Sequence, residues 1–202
     1  RIQSIEFNKD QYLNSIISIN KNVINEAKEK DKTKPESIFS LHGIPVLLKD
    51  NINYDGLATT AGTIALNDNV TNNAFIVDKL KNEGALILGK TNLSEWAYYF
   101  CNNCPSGYSA QGGQTLNPYG RKIFDSGGSS SGSGAAISAN FSSVSLGSET
   151  SGSILSPSSA NSIVGLKPTI GLVSRSGIVP ISSTLDTSGP MTKNVIDNAI
   201  VL

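Results

Sequence analysis

Residues 74–92 read AFIVDKLKNEGALILGKTN, and they decide the fold. The first eleven, AFIVDKLKNEG, read as a helix closed by Gly84 at the position just past the helix end, where glycine accepts the backbone that terminates helices. ALILGKTN follows as a short buried strand. Upstream, residues 43–53 (GIPVLLKDNIN) combine a β-type apolar run with a proline near its start, where a strand tolerates one, and place Lys49 at the strand's end. Strand, helix, strand in succession predicts an α/β fold with a parallel or mixed central β-sheet flanked by helices.

Working outward, residues 8–30 set Leu13, Ile16, Ile17, Val23, Ile24 and Ala27 at spacings of three, four and seven, which predicts an amphipathic surface helix. Residues 101–130 are rich in Asn, Gly, Ser, Pro and Gln, and a loop of that length inside a compact domain is usually functional. SGSGAAISANF (131–141) starts a helix on serine caps, VSLGSE (144–149) is a strand, SIVGLKPT (162–169) and GLVSRSGIVPI (171–181) are β-rich, and TKNVIDNAIVL (192–202) begins a helix. No internal repeat is present. Residues 126–156, SGGSSSGSGAAISANFSSVSLGSETSGSILS, have the composition of a flexible linker. Ala135, Ala136, Ile137, Phe141, Val144, Leu146 and Ile154 give the stretch enough apolar surface to be buried, so it is expected to be ordered.

With 202 residues, 38% hydrophobic and 16% charged, the chain suits one globular domain. Sixteen basic residues balance sixteen acidic ones without a basic cluster, so neither nucleic acid nor an anionic membrane is indicated as a partner. A small molecule or peptide is. No apolar run approaches the ~18 residues that span a bilayer, and the first residues lack the pattern of a signal peptide. A cytoplasmic setting is the resulting expectation, although Arg1 is not a start methionine. Cys101 and Cys104 lack the strand-to-helix setting of a redox motif and the further ligands of a zinc site, so free or structural thiols are expected ahead of a local disulfide. One histidine, His42, excludes sites with two His ligands and leaves a Ser-His-Asp triad no other base within the chain. No metal and no cofactor is called for.

Serine nucleophiles need a base within hydrogen-bond reach and donors aimed at the developing oxyanion. With histidine nearly absent, a lysine made neutral by burial is the alternative, and Lys49 follows directly on an apolar run. After the strand VSL, the turn GSETSGS lies where α/β proteins collect their sites, and the consecutive amides of Thr150, Ser151, Gly152 and Ser153 suit an anion-binding nest. The phosphate-loop pattern is absent.

These residues carry a resemblance. LHGIPVLLKDN around the lysine, GGSSSGSGAA around a middle serine and GSETSGSILSPSSANSIVGLKPTIGLVSRSGIVPIS around a second serine resemble, in order, the three blocks of the amidase signature family of serine hydrolases. NLSEWA, GYSAQGGQTLNPY and LDTSGPM resemble its peptide amidase branch. The resemblance implies a Ser-cis-Ser-Lys triad with Ser153 as nucleophile, Ser129 as the serine whose preceding bond to Gly128 is cis, and Lys49 as base. It makes the amides of Thr150, Ser151, Gly152 and Ser153 the oxyanion hole. Ser153 follows Ser129 by 24 residues, as in the family. Ser130 is the better candidate than Ser131 for support by hydrogen bonding, with a helix N-cap as its alternative, and Asp50 and Asn51 either orient the base or turn the chain. His42 and Lys90 match structural positions. The residues of the 96–100 aromatic cluster, Trp96, Tyr98, Tyr99 and Phe100, read as core ahead of substrate wall, and residues 106–115 border the pocket. Residues 1–202 would form one signature domain, incomplete at its C-terminus, with a helical segment over 1–35 and a catalytic core over 40–202. Leu155 stands where many members have arginine.

The function implied is hydrolysis of a small-molecule or peptide amide through an acyl-enzyme, on peptide C-terminal amides or similar small amides. The glutamine-hydrolysing component of a tRNA-dependent amidotransferase is the second reading, and an inactive fragment or interaction module the third. A homodimer is left open.

Overall fold

A computed structural model describes residues 1–202. A six-stranded mixed sheet forms its centre, in the spatial order β1 (Ile16–Ile19), β3 (Leu86–Thr91), β2 (Pro45–Lys49), β6 (Val144–Glu149), β8 (Thr187–Thr192) and β7 (Val164–Gly165). A two-stranded hairpin, β4 (Tyr108–Ser109) and β5 (Gly113–Gln114), stands apart within the long loop. The helices are α1 (Ile2–Glu6), α2 (Val23–Lys30), α3 (Phe75–Asn82), α4 (Ser131–Ser138), α5 (Leu155–Ala160) and α6 (Val195–Val201). β2 runs parallel to both β3 and β6, while β1–β3, β6–β8 and β7–β8 are antiparallel. The strand–helix–strand reading of 45–91 therefore holds, with Gly84 ending α3 at φ +88°.

Apolar side chains cover both faces of β2. Val46 and Leu48 join Ile87, Val144 and Leu146 against Ile76, Val77 and Leu80 of α3. Leu47 turns the other way, into a smaller cluster with Leu13, Leu116, Phe141 and Ala136 and Ala139 at the α4 side. A strand covered on both faces reads as a continuous apolar run, which is why PVLL shows no alternation. Successive residues of a strand point to opposite faces. Lys49 consequently shares the α4 side with Leu47, and Asp50 falls on the other.

Asp50 and Lys90 are both fully buried and form an ion pair at 3.1 Å. Lys90 Nζ also donates to Thr59 Oγ1 at 2.9 Å, and Asp50 Oδ2 accepts from the Thr60 amide and hydroxyl. Burial draws the Lys90 ammonium below the ordinary lysine value while Asp50 opposes it. The pair fastens the turn after β2 to β3, a structural role for Lys90.

Four readings change. Residues 8–30 are not one helix: Ile16–Ile19 add an edge strand to β3, and only Val23–Lys30 are helical. The break comes from polar groups that the apolar spacing ignores. The Glu6 carboxylate binds the amides of Leu13, Asn14 and Ser15, Asn14 takes φ 51°, and Asn20 Oδ1 accepts from the Asn22 amide to turn the chain into α2. The segment 171–181 forms no strand beyond an isolated bridge from Ile178 to Ile52, whereas TSGPMT, which contains a proline, forms the interior strand β8. Pro190 lacks an N–H, but its carbonyl accepts from Leu166 N and Asn198 Nδ2. Cys101 and Cys104 are joined in a disulfide rather than free. The aromatic cluster is not core: Tyr99 is 61% and Phe100 72% exposed, and the rings stack edge-on against one another, Trp96 to Phe100 at 5.5 Å.

Removing one partner of a buried ion pair leaves an uncompensated charge, which costs about 3–5 kcal/mol. Asp50→Ala is expected to lower the free energy of urea unfolding by that amount, with the midpoint moving while the slope stays constant.

Candidate active site

The register Leu48↔Leu146 between parallel strands brings Lys49 alongside the Gly147–Ser148 stretch at the carboxyl end of the sheet. From there its side chain passes beneath the start of α4. Lys49 is 0% exposed, and its Nζ lies 2.7 Å from Ser129 Oγ, 3.0 Å from Ser148 Oγ and 3.1 Å from the Ser148 carbonyl. Withdrawal from water penalises the ammonium, and Glu149 and Asp186 only partly oppose this, so the Lys49 pKa falls to about 7. A sizeable fraction of the amine is thus neutral near pH 7.

Ser129 is fully buried at the entry to α4, and the peptide bond between Gly128 and Ser129 is cis. A Cβ at Gly128 would clash with Tyr98 Oη and Ser94 Oγ, which glycine avoids. The Ser129 carbonyl accepts from the Ser94 amide at 3.0 Å, fixing the turn to the end of β3. Ser130 is not a side-chain N-cap. Its Oγ donates to the Ser148 carbonyl at 3.2 Å and accepts from the Ser148 amide, and its own amide donates to the Ser153 carbonyl at 3.1 Å. Ser131 Oγ instead donates back to the Gly127 carbonyl.

Ser153 sits on the turn between β6 and α5 and is 7% exposed. Its hydroxyl makes no hydrogen bond to Ser129, so the link between the two serine turns runs through the Ser130 amide. One side chain shapes this turn. The Glu149 carboxylate, 3% exposed, accepts from the amides of Gly152 (2.7 Å), Ile154 (2.7 Å) and Leu155 (2.9 Å), on both sides of the serine. Gly152 supplies φ +84°, in the left-handed region that glycine favours. Of the four amides expected to line an oxyanion hole, that of Gly152 is therefore engaged by Glu149. Those of Thr150, Ser151 and Ser153 donate to no protein acceptor.

Sequence reading passed over Glu149 and Ser148. The signal for Glu149 was present: an acid just ahead of a helix start, where amides lack intrahelical partners. Ser148 shows itself only through strand register. A cavity of about 220 Å³ adjoins this end of the sheet, with Asn51, Ser148, Thr150, Arg175 and Asp186 in its wall. Of the long loop expected to border the site, Gly107 is tied in by its amide to Ser94 Oγ at 2.8 Å. His42 lies away from these groups, with its Nε2 3.0 Å from the Lys30 carbonyl.

A buried lysine against a serine-bearing turn, itself bonded to a second such turn, on a mixed α/β sheet defines a class, and comparison with known proteins agrees. The amidase family model matches residues 3–202, and the chain belongs to the amidase family. A probable amidase of Arabidopsis thaliana is 47% identical over 191 residues, 92% of this chain and 37% of the relative. A glutamyl-tRNA(Gln) amidotransferase component of Thermoanaerobacter pseudethanolicus is 43% identical over 94% of this chain and 38% of its own length. The solved peptide amidase of Stenotrophomonas maltophilia is 47% identical with a TM-score of 0.94, covering 99% of this chain and 41% of that one. The chain spans about two fifths of the length of these relatives.

Glu149→Gln keeps the size of the side chain but leaves buried amides without an acceptor, at about 1–3 kcal/mol for each group lost. Thermal and urea unfolding should report a loss of at least about 2 kcal/mol on that scale, together with slower reaction of Ser153 toward a fluorophosphonate.

Proposed function

We propose that the protein hydrolyses amide bonds through an acyl-enzyme, with Ser153 as nucleophile, Ser129 as proton relay and Lys49 as base. The observation that carries this reading is the 2.7 Å contact between the fully buried Lys49 amine and Ser129 Oγ, in a chain whose family is that of amidases. Neutral Lys49 accepts the proton of Ser129, Ser129 accepts that of Ser153, and the Ser153 oxygen bonds to the amide carbon. The free amides of Ser151 and Ser153, with that of Thr150, are the donors available to the oxygen on which charge develops. When the tetrahedral intermediate collapses, the proton returns through Ser129 to the nitrogen and the amine leaves. Water then attacks the ester by the same route and frees the acid.

Peptide C-terminal amides are the favoured substrates, supported by the 47% identity to a peptide amidase over almost the whole chain. The 43% identity to a glutamyl-tRNA(Gln) amidotransferase component supports glutamine as the second candidate. A panel of peptide amides, other small amides and glutamine, given to the full-length protein, separates them. Preference for glutamine, with hydrolysis raised by copurifying proteins, would select the second.

Ser153→Ala is expected to reduce turnover by about 10⁴-fold or more, as for other serine nucleophiles, with the unfolding transition retained. Undiminished hydrolysis by that variant would overturn the assignment. Because the ammonium form has no lone pair, kcat/KM should fall with decreasing pH below about 7, about tenfold per pH unit, and level off above it. Lys49→Ala should abolish that limb. A wild-type profile in this variant removes Lys49 from the mechanism.

A further inference from the structure

A neutral amine has two N–H bonds and one lone pair. Lys49 Nζ has three neighbours: Ser129 Oγ, Ser148 Oγ and the Ser148 carbonyl. For the lone pair to face the Ser129 hydroxyl, both N–H bonds must go to Ser148, one to each oxygen. The carbonyl can only accept. The hydroxyl is free to rotate, and if it turned its proton toward Nζ it would occupy the lone pair that Ser129 needs.

Asn51 governs that rotor. Its Nδ2 lies 2.8 Å from Ser148 Oγ, and its Oδ1 is buried with no hydrogen-bond partner within the protein. Asn51 is itself 4% exposed and, with Ser148, lines the cavity of about 220 Å³. With Lys49 and Asn51 both donating to it, Ser148 Oγ has its two lone pairs filled, and its proton points away from both donors. The polar wall of the cavity suits water, which can accept that proton. In the flipped amide the Ser148 proton goes to Asn51 Oδ1, and an oxygen lone pair again faces Lys49. The backbone fixes Asn51 in place: its carbonyl accepts from the Val179 amide at 2.9 Å, and the neighbouring Asn53 amide donates to the Gly177 carbonyl.

We infer that Asn51 is a positioning residue for the base, holding the Ser148 hydroxyl as an acceptor so that the Lys49 lone pair is kept for Ser129. The inference rests on the proposed amidase function and deepens it. Other charged groups around the lysine are fixed by their own contacts. Glu149 binds three amides, Asp186 binds the Ile181 and Ser182 amides and the Thr150 hydroxyl, Asp50 is paired with Lys90, Lys167 donates to the Thr150 carbonyl, and Arg175 donates to the Ser182 and Ser183 carbonyls.

The test is the pH profile of kcat/KM on a peptide amide, with full-length wild type, Asn51→Leu, Asn51→Asp, Ser148→Ala and the double variant Asn51→Leu/Ser148→Ala. Asn51→Leu frees the Ser148 proton to reach Nζ. A drop of about tenfold on the plateau is expected, with the acid limb moved to lower pH because the neutral amine gains a donor. Asn51→Asp is nearly isosteric and remains informative if the leucine variant does not fold. Its added negative charge favours the ammonium, so the limb should move to higher pH by about one unit. In the Ser148→Ala background Asn51→Leu should add less than about a twofold change, since its effect acts through the hydroxyl. Unmoved limbs in both Asn51 variants, or a full loss from Asn51→Leu without Ser148, overturn the inference while leaving Ser153-dependent turnover intact. A wild-type protein that neither hydrolyses amides nor takes a fluorophosphonate on Ser153 overturns the proposed function itself, and this inference with it.

Discussion

An amine with no access to water sits at the end of β2, and the surrounding structure answers to it. Ionised, it would need a counter-charge in direct contact, and no carboxylate lies within salt-bridge distance of Lys49. The oxygens around it are hydroxyls and a carbonyl, which suit a neutral amine. Holding them in place takes two strands and one turn: β2 brings the nitrogen, β6 brings Ser148, and the entry to α4 brings Ser129. The serine-rich stretch that looks like a linker is buried from Ser129 to Ala139: Ser129 meets this nitrogen, while Ala136 and Ala139 pack with Leu13, Leu47, Leu116 and Phe141.

The same sheet handles a second buried lysine in the opposite manner. Lys90, next to Leu48 in the β2–β3 pairing, faces Asp50 across a contact of ion-pair length. One cation has its partner and serves to hold β3 to the turn after β2. The other has no carboxylate at that distance and meets only hydroxyls and a carbonyl. Two similar residues within one sheet thus meet opposite surroundings according to which face of the sheet they occupy.

How far the sequence could be read follows from the range of the forces involved. The strand–helix–strand unit was visible because PVLLK, FIVDKL and LILGK carry their burial in their own order of residues. Lys49, Ser129 and Ser153 were singled out by combining the scarcity of histidine with a resemblance spread over three blocks. What escaped depends on partners distant in sequence. Leu13, Ile16 and Ile17 fit a helix by spacing, yet Glu6 and the open edge of β3 draw the segment into a strand. TSGPMT carries no strand signal, but its place between β6 and β7 makes it one. Tyr99 and Phe100 are apolar by type and remain at the surface, on a segment where Trp96, Ala97 and Tyr98 take positive φ. Ser148, Glu149 and Asn51 are ordinary polar residues until register sets them against Lys49 and the turn that carries Ser153.

The two-sided burial of β2 also limits how this chain can vary in length. Lys49 and Asp50 are consecutive, and their side chains serve opposite faces of one strand: one faces Ser129, the other Lys90. A single residue lost between Pro45 and Lys49 would present a carboxylate to the serines and an ammonium to Lys90, and one gained would present Leu48 to the serines and Lys49 to Lys90. No repacking of apolar neighbours repairs such misplaced charges. Residues 99–106, largely exposed and outside the sheet, carry no such parity. Change by insertion or deletion is therefore open to that loop and closed to the strand beside the base.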